Sequence, residues 1–267
     1  MTDTANWISV GDLAEGFAPE SHILPPCHDL AGKTLRLYFA EGGGEELRLE
    51  EDGGNQMVQL SDGTRVAARV TSLREGLYFI DYVVRGRSET VIADQASGVA
   101  LHLEGTLPTA EEVPASLVAR AQAGQPLTAV KTVFRQARLD AADGAFGFER
   151  TSELVGKRIA YRYSQTELYE HIYLNQSFYT WHCLSGVEAG LADTDLCHYF
   201  KLRDELYLFV WQEKIVPTLG VVTVDLARRK TDGKIFGHAE FEAGAFSNFP
   251  VGAFASVTNF TPAPVLV

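Results

Sequence analysis

The chain has 267 residues, with 23 basic against 35 acidic side chains, a formal net charge of −12 and 46% hydrophobic residues. That composition is neither disordered nor fibrous, and at roughly 150 residues per domain the length suits one large domain or two small ones. So acidic a surface repels nucleic-acid backbones and anionic lipid, and no apolar run reaches the roughly 20 residues of a membrane helix; neither partner is expected.

The first residues, MTDTANWISVGDLAEGF, carry no basic stretch followed by an apolar one, so no secretion signal is read and a cytoplasmic location is expected. Cys27, Cys183 and Cys197 are odd in number and far apart, which fits reduced thiols. A short helical turn is expected around Val10 to Gly16. Next comes Leu30-Ala31-Gly32-Lys33 followed by TLRLYF, then LYFIDYVV from Leu77 to Val84, ETVIAD ending at Asp94, and GVALHLEG. These are short runs of β-branched and aromatic residues bounded by Gly or Asp, the pattern of strands. A helix is expected over AEEVPASLVARAQAG, capped by Thr109, with Glu111 and Glu112 in its first turn and Gly124 as its stop.

The chain then repeats itself. Leu154-Val155-Gly156-Lys157 is followed by RIAYRY, LYLFVWQE (Leu206 to Glu213) answers LYFIDYVV, and VTVD ending at Asp225 answers VIAD. Three matches in the same order imply duplication, with a seam between roughly Pro108 and Glu153. The expected fold is all-β: two tandem antiparallel barrels of calycin or lipocalin-like shape joined by a helix, one over residues 1–125 and one over 126–267. Closure is favoured because each repeat has strands for only one sheet and a barrel leaves no exposed edge. The tail FTPAPVLV, with two prolines, is expected to run extended.

Strand alternation tells which residues share a face. In RIAYRY the arginines should be wet, which turns Tyr161 and Tyr163 inward. In LYEHIYLN, Tyr169, His171 and Tyr173 share a face. In LYLFVWQE, Tyr207, Phe209, Trp211 and Glu213 share another. For FYTWHC both parities stay open: Phe178, Thr180 and His182 inside, or Tyr179, Trp181 and Cys183 inside. An interior of aromatics with ionisable groups is costly as packed core and ordinary for a pocket. The first repeat has Leu37 and Phe39 where the second has Tyr161 and Tyr163, Tyr82 for Trp211, and Val84 for Glu213. Its barrel therefore reads as filled and structural, and the pocket is expected in the second.

The runs YLNQSFYTWHCLSGVEAGLADTDLCHYFK, LYLFVWQEKIVPTLGVVTVDL and GKIFGH resemble the MoaF family, whose name implies a link to molybdenum cofactor biosynthesis. No Gly-rich phosphate cradle or basic anion pocket accompanies the resemblance. Over the second half alone, LVGKRIAYRY, the LSG after Cys183, VWQE and GKIF are similar to the phenolic acid decarboxylases. That resemblance implies a lipocalin-like barrel in which Tyr161 and Tyr163 match the tyrosines that hold substrate and Glu213 matches the acid–base residue. At the place of that family's arginine this chain has His182.

The expected site therefore comprises Glu213, Tyr161 and Tyr163 as the chemical groups, with His182, Trp181, Trp211, Tyr207, His171 and Tyr173 lining the pocket. A carboxyl among Trp211, Tyr207 and Phe209 should be desolvated and carry a raised pKa, fit for proton exchange with a phenol or enol. Otherwise Glu213 pairs at the rim with Arg162 or with Lys214, the poorer partner because adjacent strand residues face opposite ways, and His182 is as readily a structural histidine. His182-Cys183 and Cys197-His198 lack metal-ligand spacing, so no metal or cofactor is expected, and Asp193 and Asp195 read as solvated loop residues. The functions in view are binding of a small aromatic or carbonyl compound, a lyase or isomerase reaction using Glu213, or a lipocalin-like carrier or sensor. A homo-oligomer is compatible with the sequence.

Overall fold

A computed structural model describes residues 6–18, 21–113, 115–140 and 146–262. The first barrel is built from eight antiparallel strands in chain order: β1 (Thr34–Phe39), β2 (Gly44–Asp52), β3 (Asn55–Leu60), β4 (Arg65–Arg74), β5 (Leu77–Val84), β6 (Arg87–Asp94), β7 (Val99–Thr106) and β8 (Lys131–Leu139). It closes where β8 returns to β1, with Leu37 opposite Leu139. The second runs β9 (Lys157–Arg162), β10 (Leu168–Tyr173), β11 (Phe178–Ser185), β12 (Ala192–Arg203), β13 (Leu206–Gln212), β14 (Thr218–Asp225) and β15 (Lys230–His238). It closes through β17 (Phe254–Phe260), which pairs with β9 along its length and touches β15 only at Lys230. An added strand, β16 (Phe246–Val251), takes over the rest of the β15 edge. All pairing is antiparallel, so alternate residues enter each barrel.

Leu35, Leu37 and Phe39 fill the first barrel from β1, and Ile159, Tyr161 and Tyr163 enter the second from the matching strand, while Arg158 and Arg162 stay exposed. On β13 every residue is buried. At the end of β13 the Gln212 side-chain amide donates to the Val130 carbonyl at 2.7 Å, and at the end of β15 the His238 Nε2–H donates to the Pro108 carbonyl at 2.9 Å.

Two helices accompany the barrels. In α1 (Val10–Phe17), Ser9 caps the start by accepting from the Asp12 amide, and Val10, Leu13 and Phe17 form the buried face. The helix expected over 110–124 is shorter. Residues 110–113 form a turn closed by Thr109, and α2 (Leu117–Gln122) starts anew with Ser116 as its cap. Pro114 in the sequence offers no N–H to a continuous ladder. Gly124 stops the helix as expected, at φ +67°. The tail after Phe260 lies mostly outside the described residues.

The domain boundary differs from residue 125. Residues 24–106 with 132–149 form one compact unit, and 1–23, 107–131 and 150–267 form the other. The first repeat supplies seven strands before the seam, and the eighth that closes its barrel lies beyond α2. No described helix is long and apolar enough to cross a membrane.

Candidate functional site

The second barrel ends, on the side of the β9–β10, β11–β12 and β13–β14 connections, in a cavity of about 30 Å³. Barrel strands contribute Tyr169, His171, Tyr179, Trp181, Trp211 and Ile235; Tyr163, Glu188 and Glu213 stand in the connections, Tyr163 directly after β9. From α1, Leu13 and Phe17 close the mouth. The Phe17 ring sits 4.9 Å from that of Tyr163, edge-on, and 5.6 Å from that of Tyr169. Close backbone approach makes this docking tight. A Cβ at Gly237 would fall 2.5 Å from the Val10 side chain, and one at Gly11 would fall 2.6 Å from the Ala239 carbonyl oxygen.

Glu213 is half-buried because it faces the cavity, and the indole N–H of Trp211 donates to it at 2.7 Å. Burial pushes its carboxyl well above the usual range, and the neighbouring Asp195 and Glu188 push the same way. The Trp211 hydrogen bond opposes the shift without reversing it. Burial also lifts Glu188 to about 7, against a hydrogen bond from Tyr169 at 3.0 Å. His171 is held neutral by burial, its pKa down to about 3, and its Nδ1 is buried without a partner among the described residues. Among the described residues the lining holds no lysine or arginine. It is a hydrogen-bonding, aromatic interior in which burial favours the protonated form of both carboxyls.

Other expected residues stand around this cavity. Tyr161 and Tyr173 share a 2.5 Å hydroxyl hydrogen bond in the core beneath it. Tyr207 donates to Glu153 at 2.7 Å and lines no part of the cavity. His182 is not a site residue: β11 buries Tyr179, Trp181 and Cys183, which puts His182 on the outer face. Ring bulk decides that parity, since the Tyr179 and Trp181 rings with the Cys183 thiol gain more by burial than Phe178, Thr180 and His182 would. Asp195 is buried, not solvated; it accepts from the Trp181 indole at 3.0 Å and pairs with Lys214 at 3.3 Å. Its burial holds its pKa up at about 6 despite Lys214. Sequence reading missed Phe17 and Leu13, because nothing in a local helical turn shows which surface it will cover.

Family models described as the MoaF N-terminal domain and the MoaF C-terminal domain match residues 5–109 and 148–261. Protein MoaF of Klebsiella aerogenes is 44% identical over 98% of both chains. This chain belongs to the MoaF family. A solved structure described as "a putative beta-lactamase from Burkholderia vietnamiensis" is 16% identical with a TM-score of 0.34, covering 41% of this chain and all of that one.

Within this MoaF chain, the first barrel departs from the expected filled interior. At its equivalent end lies a recess of about 410 Å³. Phe39, Tyr82 and Val84 stand there for Tyr163, Trp211 and Glu213, as the repeat requires, yet the recess also holds Glu45, Glu89, His102, Glu104 and Arg87. Strand register explains the difference. Tyr82 lies opposite Glu89 where Trp211 lies opposite Gly220, and counting from Asp94/Val99 and Asp225/Lys230 sets His102 against Gly233. The sixth and seventh strands therefore carry Glu89 and His102 in the first barrel where the second has glycine, while the second strand supplies polar groups in both, Glu45 in one and Tyr169 and His171 in the other.

Proposed function

We propose that the second barrel binds a small uncharged planar compound, a phenol, enol or conjugated carbonyl, with Glu213 exchanging a proton with it. The observation that carries this reading is a carboxyl that, among the described residues, has no cationic partner in an aromatic cavity, beside a neutral histidine whose Nδ1 has no partner among them either. A protonated carboxyl donates to a carbonyl or phenol oxygen, and the same group deprotonated accepts from a phenol or enol. A ligand carboxylate is disfavoured, because the lining offers no guanidinium and His182 faces away. That argues against transferring the decarboxylase reaction.

About 30 Å³ admits one or two water molecules and no aromatic ring. Phe17 already supplies a ring against Tyr163 and Tyr169, so a ligand enters as Phe17 withdraws. With phenol as probe, Phe17→Ala is expected to bind at least about tenfold more tightly than the parent chain by calorimetry, since an apolar void of roughly 150 Å³ takes up benzene. A folded Phe17→Ala chain that takes up no phenol would overturn the reading. Glu213→Gln then separates an enzyme from a carrier or sensor: an enzyme loses conversion while keeping binding within a few-fold, and a carrier loses affinity alone. The link to molybdenum cofactor biosynthesis rests on the family name. It is abandoned if deleting the gene leaves molybdoenzyme activity unchanged.

A further inference from the structure

The first barrel, unused by the function just proposed, carries a built polar site. His102 on β7 is buried, and its Nε2–H donates to the buried carboxylate of Glu89 on β6 at 2.9 Å. That bond fixes the ring and aims Nδ1 at the recess, where Nδ1 is buried without a hydrogen-bond partner among the described residues. Glu45 Oε2 lies 3.7 Å from Nδ1, too far for a hydrogen bond between them. An orphaned buried nitrogen is costly unless water or a ligand in the recess satisfies it.

Charge accounting selects the ligand. Of the recess carboxylates, Glu104 pairs with Arg87 at 3.1 Å, Glu89 lies 3.4 Å from Arg87, and Asp62 pairs with Arg85. Arg135, the third arginine of the recess, is held by Glu41 at 2.5 Å over the Phe39 ring. Glu45 alone has no arginine or lysine within ion-pair distance among the described residues. Burial pushes its carboxyl above the usual range, with His102 opposing. Arg87 is shared by Glu89 and Glu104, so the three arginines leave the recess net negative, and Glu45 is the carboxylate that stands beside the unsatisfied nitrogen, where the two present a pair of acceptors.

We propose that this recess binds a small monocation bearing two N–H donors on one carbon, of the amidinium or guanidinium class, across Glu45 and His102 Nδ1. The forked donors reach both acceptors, and the cation neutralises Glu45. Binding requires neutral His102, which donates to Glu89 from Nε2 and accepts at Nδ1.

Benzamidine and its neutral counterpart benzamide test this on the full-length chain, by calorimetry and by the ring resonances of His102. Benzamidine is expected to bind saturably with a perturbed His102 signal, and benzamide at least about tenfold more weakly. Glu45→Gln should weaken benzamidine about tenfold or more. His102→Gln, which can still reach Glu89 but lacks Nδ1, should weaken it several-fold. Circular dichroism verifies that each variant is folded. No saturable binding, equal affinity for benzamide, an unmoved His102 signal, or indifference to Glu45→Gln would each overturn the proposal. None of these outcomes bears on phenol uptake by the other barrel.

Discussion

Replacing Glu213 by glutamine is expected to raise the melting temperature at neutral and alkaline pH while leaving it nearly unchanged near pH 4. The carboxyl is held above its usual range by burial and by Asp195 and Glu188, so the folded chain keeps a proton that the unfolded chain has released. Such a group contributes stability that is fully present below the unfolded pKa, around 4.5, and is lost as pH rises through the folded value. Within that window each pH unit costs about 1.4 kcal/mol. Glu188, at about 7, and Asp195, at about 6, titrate with the same sign, so the parent chain should weaken steadily from pH 5 to 7. Glutamine cannot ionise, yet its amide oxygen still accepts from the Trp211 indole. Thermal unfolding of both chains across this range checks the account. Parallel pH profiles would show that Glu213 is solvated and paired, and would remove its proton-exchange role with it.

Much of this was legible because burial enforces alternation. Arg158 and Arg162 could only face water, which turned Tyr161 and Tyr163 inward, and the same parity turned Trp211 and Glu213 toward one cavity. The duplication was legible because the turn residues and apolar runs recur in order. His182 was not, since its strand offers bulky residues at one parity and a mixture at the other, and tertiary packing made the choice. Asp195 looked like a loop residue, but β12 begins at Ala192 and takes it into the wall beside Trp181. The larger gap concerned the first barrel. Comparing Leu37, Phe39, Tyr82 and Val84 with their counterparts samples only β1 and β5, and both strands did lose polar groups. Glu89 and His102 sit on β6 and β7, at positions where the second repeat has glycine, and a glycine carries no sign of the side chain that another copy places there; Glu45 on β2 stands where the second repeat has Tyr169. Closure of the second cavity by Phe17 was likewise hidden, because an amphipathic turn records that a face is buried but not against what.

Those glycines lead to the second large effect. Gly220→Ala is expected to destabilise the chain by about 3 kcal/mol, at the upper end of ordinary overpacking. A Cβ at residue 220 would lie 2.0 to 2.3 Å from carbons of the Trp211 indole, well inside any contact distance. Trp211 has little room to yield. It is 3% exposed, stacks on Phe209 at 5.2 Å, and is flanked by His171 at 6.0 Å and Tyr179 at 6.1 Å. Any rotation of the indole also breaks its bond to Glu213, so loss of stability and a change in Trp fluorescence should appear together. Gly244→Ala is the control. Nothing lies within 4 Å of its added Cβ, and the change should fall within about 0.5 kcal/mol of the parent. The first barrel avoids this clash with the smaller Tyr82 and uses the opposite position for Glu89, the residue that orients His102. Trading a tryptophan–glycine pair for a tyrosine–glutamate pair is therefore how the two copies came to hold different chemistry on the same frame. A Gly220→Ala chain as stable as the parent, with unchanged fluorescence, would show that Trp211 does not fill the space its partner strand leaves and would undo that account.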